Sequence, residues 1–255
     1  MNISALERIA TETAIEVGRY LIAELNGERQ VRDKKGLELV SDADLKVQDL
    51  IVVRLTKTGI PIVAEEGRTG DFEHYWLVDP IDGTTNYIHR LPIFSISISL
   101  IKDRKVEIGV VHSPYLGETF AGRRGYGARL NGRRIGVSGI RYLKDCLLAT
   151  GFPYDLRTSK DNNFDHFYNF SQKVRAIRRM GCASLDLAYV ACGRFDGFWE
   201  MKLKPWDIAA GALLVQEAGG EITNFAGNGY NIDFTDVVAS NGLIHKQMLE
   251  VIGCG

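Results

Sequence analysis

Apolar and polar positions alternate along this chain in two rhythms. Over residues 4–25, Leu6, Ile9, Ala10, Thr13, Ala14, Val17 and Leu21 recur at helical spacing, with charged residues between them. That pattern predicts an amphipathic helix with one apolar face, ended by Asn26-Gly27. A second helix is expected over 43–57, stopping before Gly59 and Pro61. Phe94-Ser95-Ile96-Ser97-Ile98-Ser99-Leu100 follows the other rhythm, a period of two. It predicts a strand with large apolar residues against a core and serines against small neighbours. Lys102–Lys105 turns the chain, Val106–Val111 returns beside it, and a strand near 117–122 continues an antiparallel meander. Tyr75–Val78 reads as a further short, buried strand.

The second half changes character. A strand at Leu147–Thr150 is followed by a helix at 158–172, a strand at 174–178 and a helix at Ser184–Cys192. The strand Gly197–Met201, the helix Asp207–Ala218, strands near 221–224 and 236–240 and a helix at 243–252 complete the pattern. An α+β half (1–140) thus precedes an α/β half (141–255), expected as one compact unit with no repeat or low-complexity segment.

Composition narrows the function classes. Hydrophobic residues make up 45% and charged residues 25% of the 255, with a net charge of −1. Nothing there favours nucleic acid or an anionic membrane as the main partner. Cys146, Cys182, Cys192 and Cys254 form no C-x-x-C pair and no zinc spacing, so they read as reduced thiols of a cytoplasmic protein. Glu7, Arg8, Glu12 and Glu16 interrupt the first helix, which therefore does not read as a signal peptide. No apolar run is long enough to span a bilayer.

The densest chemistry lies in Asp79-Pro80-Ile81-Asp82-Gly83-Thr84-Thr85-Asn86. Two carboxylates three residues apart can hold hard divalent cations. A strand breaking there into a turn and a helix would leave the amides of Gly83, Thr84 and Thr85 at a helix N-terminus, which suits phosphate. Metal ligands beside a phosphate cradle point to phosphoester chemistry. Asp-Gly is also ordinary turn punctuation, so the octet needs company.

That company is present. Trp206-Asp207-Ile208-Ala209-Ala210-Gly211, Gln216-Glu217-Ala218-Gly219-Gly220, Glu65-Glu66-Gly67, Val40-Ser41-Asp42-Ala43-Asp44, Gly181-Cys182-Ala183 and Glu200 stand in a fixed order with the octet. Together they resemble the signatures of the inositol monophosphatase family of metal-dependent phosphatases, over nearly the whole chain. The resemblance implies a layered α-β-α-β-α sandwich of the sugar-phosphatase type, a homodimer and sensitivity to Li⁺. It implies hydrolysis of inositol monophosphate by metal-activated water. The dual-specificity branch that also takes fructose 1,6-bisphosphate is an alternative, as is a regulator bound to transcription or RNA-processing machinery.

By the same resemblance, Glu65, Asp79 and the carbonyl of Ile81 hold one Mg²⁺, and Asp79, Asp82 and Asp207 a second. A third ion near Glu65 is allowed, and Mn²⁺ can substitute. Glu65 and Thr84 orient the attacking water, with Asp44 bonded to the Thr84 hydroxyl. Asp82, Gly83, Thr84, Gly181, Cys182, Ala183, Glu200 and Asp207 meet the phosphorylated polyol or sugar. Simpler readings stay open for several of these residues. Asp44 could cap the second helix, Asp207 could be a first-turn helix acid, Glu200 a surface acid at a strand end, and Cys182 a packing residue. Lys34 or Lys35, in a charged stretch, could approach the phosphate. Arg178 and Arg179 could bind phosphate, or lie on a solvated edge or a subunit contact.

Overall fold

A computed structural model describes residues 1–27, 31–33, 39–67 and 69–253. Lys34, Lys35 and Cys254 lie outside the described residues.

Helix α1 (Ile3–Glu24) starts at Asn2, whose side chain accepts the Ala5 amide at 2.8 Å. A short antiparallel pair, β1 (Val31–Asp33) and β2 (Leu39–Ser41), leads into α2 (Asp42–Leu55). Seven strands then form one sheet in chain order: β3 (Ile62–Ala64), β4 (His74–Asp82), β5 (Ser95–Lys102), β6 (Lys105–Ser113), β7 (Glu118–Arg123), β8 (Ala128–Leu130) and β9 (Arg133–Arg134). The β3–β4 pair is parallel and the others antiparallel. A short helix, α3 (Thr84–Ile88), separates β4 from β5.

Strand β10 (Leu147–Thr150), helix α4 (Phe164–Ser171), strand β11 (Ala176–Arg178), helix α5 (Ala183–Ala191) and strand β12 (Gly197–Glu200) follow. Helix α6 (Pro205–Glu217), strands β13 (Glu221–Thr223) and β14 (Val237–Ser240) and helix α7 (His245–Ile252) end the described chain. Their strands make a second sheet, ordered β11-β10-β12-β14-β13. Strand β10 runs parallel to both β11 and β12, while β14 is antiparallel to its two neighbours.

The apolar patterns dictate the layering. The buried face of α1 (Leu6, Ala10, Ala14, Val17, Leu21) packs with α2 on one side of the seven-stranded sheet. On the other side lie α5 and α6, whose residues 183–191 and 208–215 are buried without exception. Helices apolar all round belong between layers, and these two also carry the five-stranded sheet. Phe170, Trp199, Met248 and Val251 then pack α4 and α7 on its far face. The order is α-β-α-β-α, as the family resemblance implied. Among the described residues, no helix is long and apolar enough to cross a membrane.

Three local expectations need correction. β4 does not stop at Val78; it runs through Asp82, with a register shift between Asp79 and Asp82. Pro80 has no amide to give the ladder, so the strand bulges there instead of ending. The helix expected over 158–172 starts only at Phe164, because Asn163 is left-handed at φ 72°. The short strands β8 and β9 were not anticipated.

Gly109 of β6 shows how tightly α6 is seated. A Cβ built there would lie 2.7 Å from the Ala210 carbonyl oxygen and 3.0 Å from its Cα. Since backbone cannot rotate out of the way, Gly109→Ala should cost about 1–3 kcal/mol. It should also lower activity, because α6 carries Asp207 at its start. Urea midpoints and turnover of the variant check both effects.

Candidate active site

The motif carboxylates reach their places by different local devices. Asp79 lies in β4, paired with Ser97 of β5, and is 2% exposed. Its Oδ1 accepts the Ile81 amide at 3.0 Å. Glu65 follows β3, and its amide continues the pairing by donating to the Val78 carbonyl at 3.2 Å. Gln48 of α2 clamps the same turn: its Nε2 donates to the Glu66 carbonyl (2.9 Å) and its Oε1 accepts the Glu66 amide (3.0 Å). Asp82 accepts from the Ser184 amide (2.7 Å) and hydroxyl (2.6 Å) at the start of α5. Asp207 accepts the Lys204 amide at 2.8 Å, which caps α6. The carbonyl of the preceding Trp206 is held by the Ser97 hydroxyl at 3.1 Å.

All of this converges on one cavity. Glu65, Asp79, Ile81, Asp82, Gly83, Thr84, Gly181, Cys182, Ala183, Glu200 and Asp207 border it, and so does Arg179. Arg178 does not line it, whereas Asp44 stands directly behind Thr84. Asp44 combines the two roles left open for it. Its Oδ2 accepts the Ser41 amide (2.7 Å) and hydroxyl (2.6 Å), fixing the start of α2, while its Oδ1 accepts the Thr84 hydroxyl at 3.0 Å. Glu200 is no surface acid; it closes β12 against the cavity.

Gly83 joins the two halves of this wall. It is left-handed at φ 87°, and a Cβ on it would meet the carbonyl oxygens of Ile93 (3.1 Å) and Gly181 (3.2 Å). Only glycine satisfies both the dihedral and the approach. Asn86, at the end of the motif, donates to the carbonyls of Ile93 (2.7 Å) and Met180 (2.8 Å), which ties α3 to the 180–183 segment. α3 has five residues, so the expected helix N-terminus is a single turn whose first residues border the cavity.

Electrostatics define the character of the site. Burial pushes the Asp79 carboxyl well above the usual range, and Glu65, Asp82 and Asp207 push it further, with a carboxyl–carboxyl hydrogen bond to Glu65. Asp207 is raised well above its usual value by burial and then by Asp82. Burial also raises Asp82, opposed by the hydrogen bonds from Ser184. Glu200 is pushed up to about 8, by burial first and Asp82 second, against the pull of Arg179. Clustered carboxylates that repel one another in a buried cleft are relieved by cations. Among the described residues, no three such side chains close into a cage by themselves. Asp82 and Asp207 each give one oxygen to a backbone amide, and Asp79 bonds to Glu65. The donor set is nonetheless all oxygen, which suits hard divalent metals over zinc.

Sequence reasoning missed Gln48 and Ser184. Gln48 and Ser184 reveal themselves only through partners 18 and 102 residues away. Cys182 is 1% exposed, with its Sγ 3.2 Å from the Ser95 hydroxyl, so its side chain packs while its segment borders the cavity.

Comparison with known proteins identifies the family and agrees with the fold. The model of the inositol monophosphatase family matches residues 2–253. An inositol-1-monophosphatase of Mesorhizobium japonicum is 39% identical, covering 98% of this chain and 96% of its own length. A Pseudomonas aeruginosa protein named Nus factor SuhB is 42% identical over 87% of this chain and 85% of its own. The crystal structure of the extragenic suppressor protein suhB from Bartonella henselae superposes with a TM-score of 0.91 at 37% identity, covering 98% of this chain and 99% of that one.

Proposed function

Because the chain belongs to the inositol monophosphatase family, a family of metal-dependent phosphatases that act on small phosphorylated molecules, we propose that it hydrolyses inositol monophosphate to inositol and phosphate. The observation that carries this reading is the gathering of Glu65, Asp79 with Asp82, and Asp207, from three separate places in the chain, on one cavity bordered by Glu200. We assign Glu65, Asp79 and the Ile81 carbonyl to one divalent cation, and Asp79, Asp82 and Asp207 to another. Mg²⁺ fits this set, with Mn²⁺ as a substitute and room for a third, weaker ion near Glu65. Such ions lower the pKa of water and offset charge on the leaving oxygen.

The chain's own groups do the positioning. The Thr84 hydroxyl, with its hydrogen given to Asp44, presents a lone pair to the attacking water. Glu65 orients the same water. The turn of Gly83 and Thr84 faces the phosphoryl oxygens with backbone amides, without forming a covalent intermediate. Glu200 and the backbone of Gly181, Cys182 and Ala183 bond ring hydroxyls. Inhibition by Li⁺, a homodimer and a cytoplasmic location complete the reading; sedimentation at working concentration is expected to give twice the chain mass.

Phosphate release from inositol 1-phosphate, with and without Mg²⁺ and with fructose 1,6-bisphosphate alongside, tests it. Magnesium-dependent turnover that strongly favours inositol 1-phosphate is expected. Comparable turnover of both would make the enzyme dual in specificity, and turnover of neither would overturn the reading. Likeness to the Pseudomonas Nus factor favours a second role, binding to transcription machinery, which can coexist with catalysis.

A further inference from the structure

Three glycines border the cavity: Gly83, Gly151 and Gly181. Gly83 and Gly181 are left-handed, at φ 87° and 77°, so the backbone accounts for both. Gly151 is not left-handed, and its main chain does not call for glycine. A glycine that the backbone does not need is there for the space it leaves.

That space holds Glu200. A Cβ on Gly151 would fall on the end of the Glu200 side chain, well inside contact with Cδ, Oε1 and Oε2. The carboxyl thus rests on the bare Cα of Gly151, and both residues border the cavity. Strand pairing sets up this approach. β10 and β12 run parallel with Thr150 opposite Trp199, so Gly151 and Glu200 come next along the two chains. The main chain is held from behind. The Thr150 hydroxyl donates to the Trp199 carbonyl at 2.7 Å. Asn163 Nδ2 donates to the Gly151 carbonyl at 2.5 Å, and Asn163 Oδ1 accepts Trp199 Nε1 at 2.8 Å. These bonds fix the strand ends, whereas the end of a glutamate can turn. A methyl group at 151 would therefore displace the carboxyl and leave the strands in place.

We propose that Gly151 is a positioning residue that makes the site selective for substrates carrying ring hydroxyls, by leaving the seat from which the Glu200 carboxyl meets them. A carboxylate and a carboxylic acid both bond hydroxyls, so the seat serves either protonation state. The inference rests on the reading of the site as a polyol-phosphate phosphatase.

The test compares the wild-type enzyme, Gly151→Ala, Glu200→Ala and the double variant Gly151→Ala/Glu200→Ala. Each is assayed with Mg²⁺ on inositol 1-phosphate and on p-nitrophenyl phosphate, which has no ring hydroxyls, and each is melted. Gly151→Ala is expected to raise KM for inositol 1-phosphate about tenfold, the scale of one lost hydrogen bond, with kcat within about twofold. Such a split marks binding lost equally from the substrate and the transition state. KM for p-nitrophenyl phosphate and the melting temperature should hold. In the Glu200→Ala background the methyl group meets no carboxyl and should add nothing, because residues acting as one unit are not additive. An additive effect in the double variant would overturn the inference. So would a proportional loss on both substrates with a lower melting temperature, which would make Gly151 a packing residue. A wild-type enzyme that shows no preference for inositol 1-phosphate would overturn the proposed function and this inference together. Preference in the wild type that survives undiminished in Gly151→Ala would overturn the inference alone.

Discussion

Asp79→Asn is expected to abolish phosphate release while leaving the fold intact or firmer. Asp79 is the assigned bridge between both cations, so its loss weakens both positions at once. A fall in kcat of about a thousandfold or more is the scale on which removing a charge-stabilising group acts at a reacting centre. The stability effect has the opposite sign. In chelator, Asp79 is buried among Glu65, Asp82 and Asp207, and its carboxyl is raised well above the ordinary range by burial and then by those neighbours. A carboxyl whose folded pKa is raised contributes most below its unfolded pKa, and that contribution is lost as pH rises through the folded value. The wild type minus the variant should therefore become less stable between pH 5 and pH 8 in chelator. Taking the difference cancels His112, His166 and His245, whose pKa values are lowered by desolvation. With Mg²⁺ present the wild type should gain melting temperature by mass action, and the variant little. Melts at both pH values, with and without metal, check every part. Loss of turnover with loss of folding would instead make Asp79 a structural residue. The same variant separates the two proposed roles, since binding to transcription machinery should survive the loss of turnover.

The elements of the fold were legible in the sequence because each follows a local rhythm, whereas their stacking into five layers came from the family resemblance. The alternation of Phe94–Leu100 announced β5, whereas the burial of α5 and α6 on all sides, which sets them between the two sheets, emerged only from the structure. What the serine face of β5 does was not legible. Ser95 meets the Ser184 hydroxyl at 2.7 Å and Ser97 holds the Trp206 carbonyl at 3.1 Å, across 89 and 109 residues. No pattern in β5 names those partners. The helix over 158–172 was overestimated for a related reason. Asn163 is left-handed because its side chain is fully used elsewhere: it donates to Thr150 and Gly151 and accepts from Trp199 Nε1. The bulge at Pro80 shows the same limit. Its proline was visible, but the pairing of Asp82 with Ser95 beyond it was fixed by the neighbouring strand.

Asp44→Asn should lower kcat by about a hundredfold with a smaller change in KM, the lower end of what a positioned proton-transfer group contributes. Thr84 has one hydroxyl hydrogen and two acceptors in range, Asp44 Oδ1 at 3.0 Å and the Ile81 carbonyl at 2.9 Å. That carbonyl is an assigned cation ligand, so the hydrogen has to go to Asp44 for the site to work. A carboxylate guarantees this, whereas an amide can turn its NH₂ toward Thr84 and send the hydrogen back to Ile81. The Ser41 hydroxyl and amide hold the other oxygen, Oδ2, at 2.6 and 2.7 Å, and keep Asp44 from rotating away. Ser41→Ala removes one of those two bonds and leaves the charge. It should cost about 1 kcal/mol of stability, the ordinary cost of losing a helix-start side chain, and only a few-fold in kcat. Steady-state kinetics on both variants separate the two contributions. A hundredfold loss in Ser41→Ala would mean that geometry alone matters, and a near-normal kcat in Asp44→Asn would remove Asp44 from the proton path.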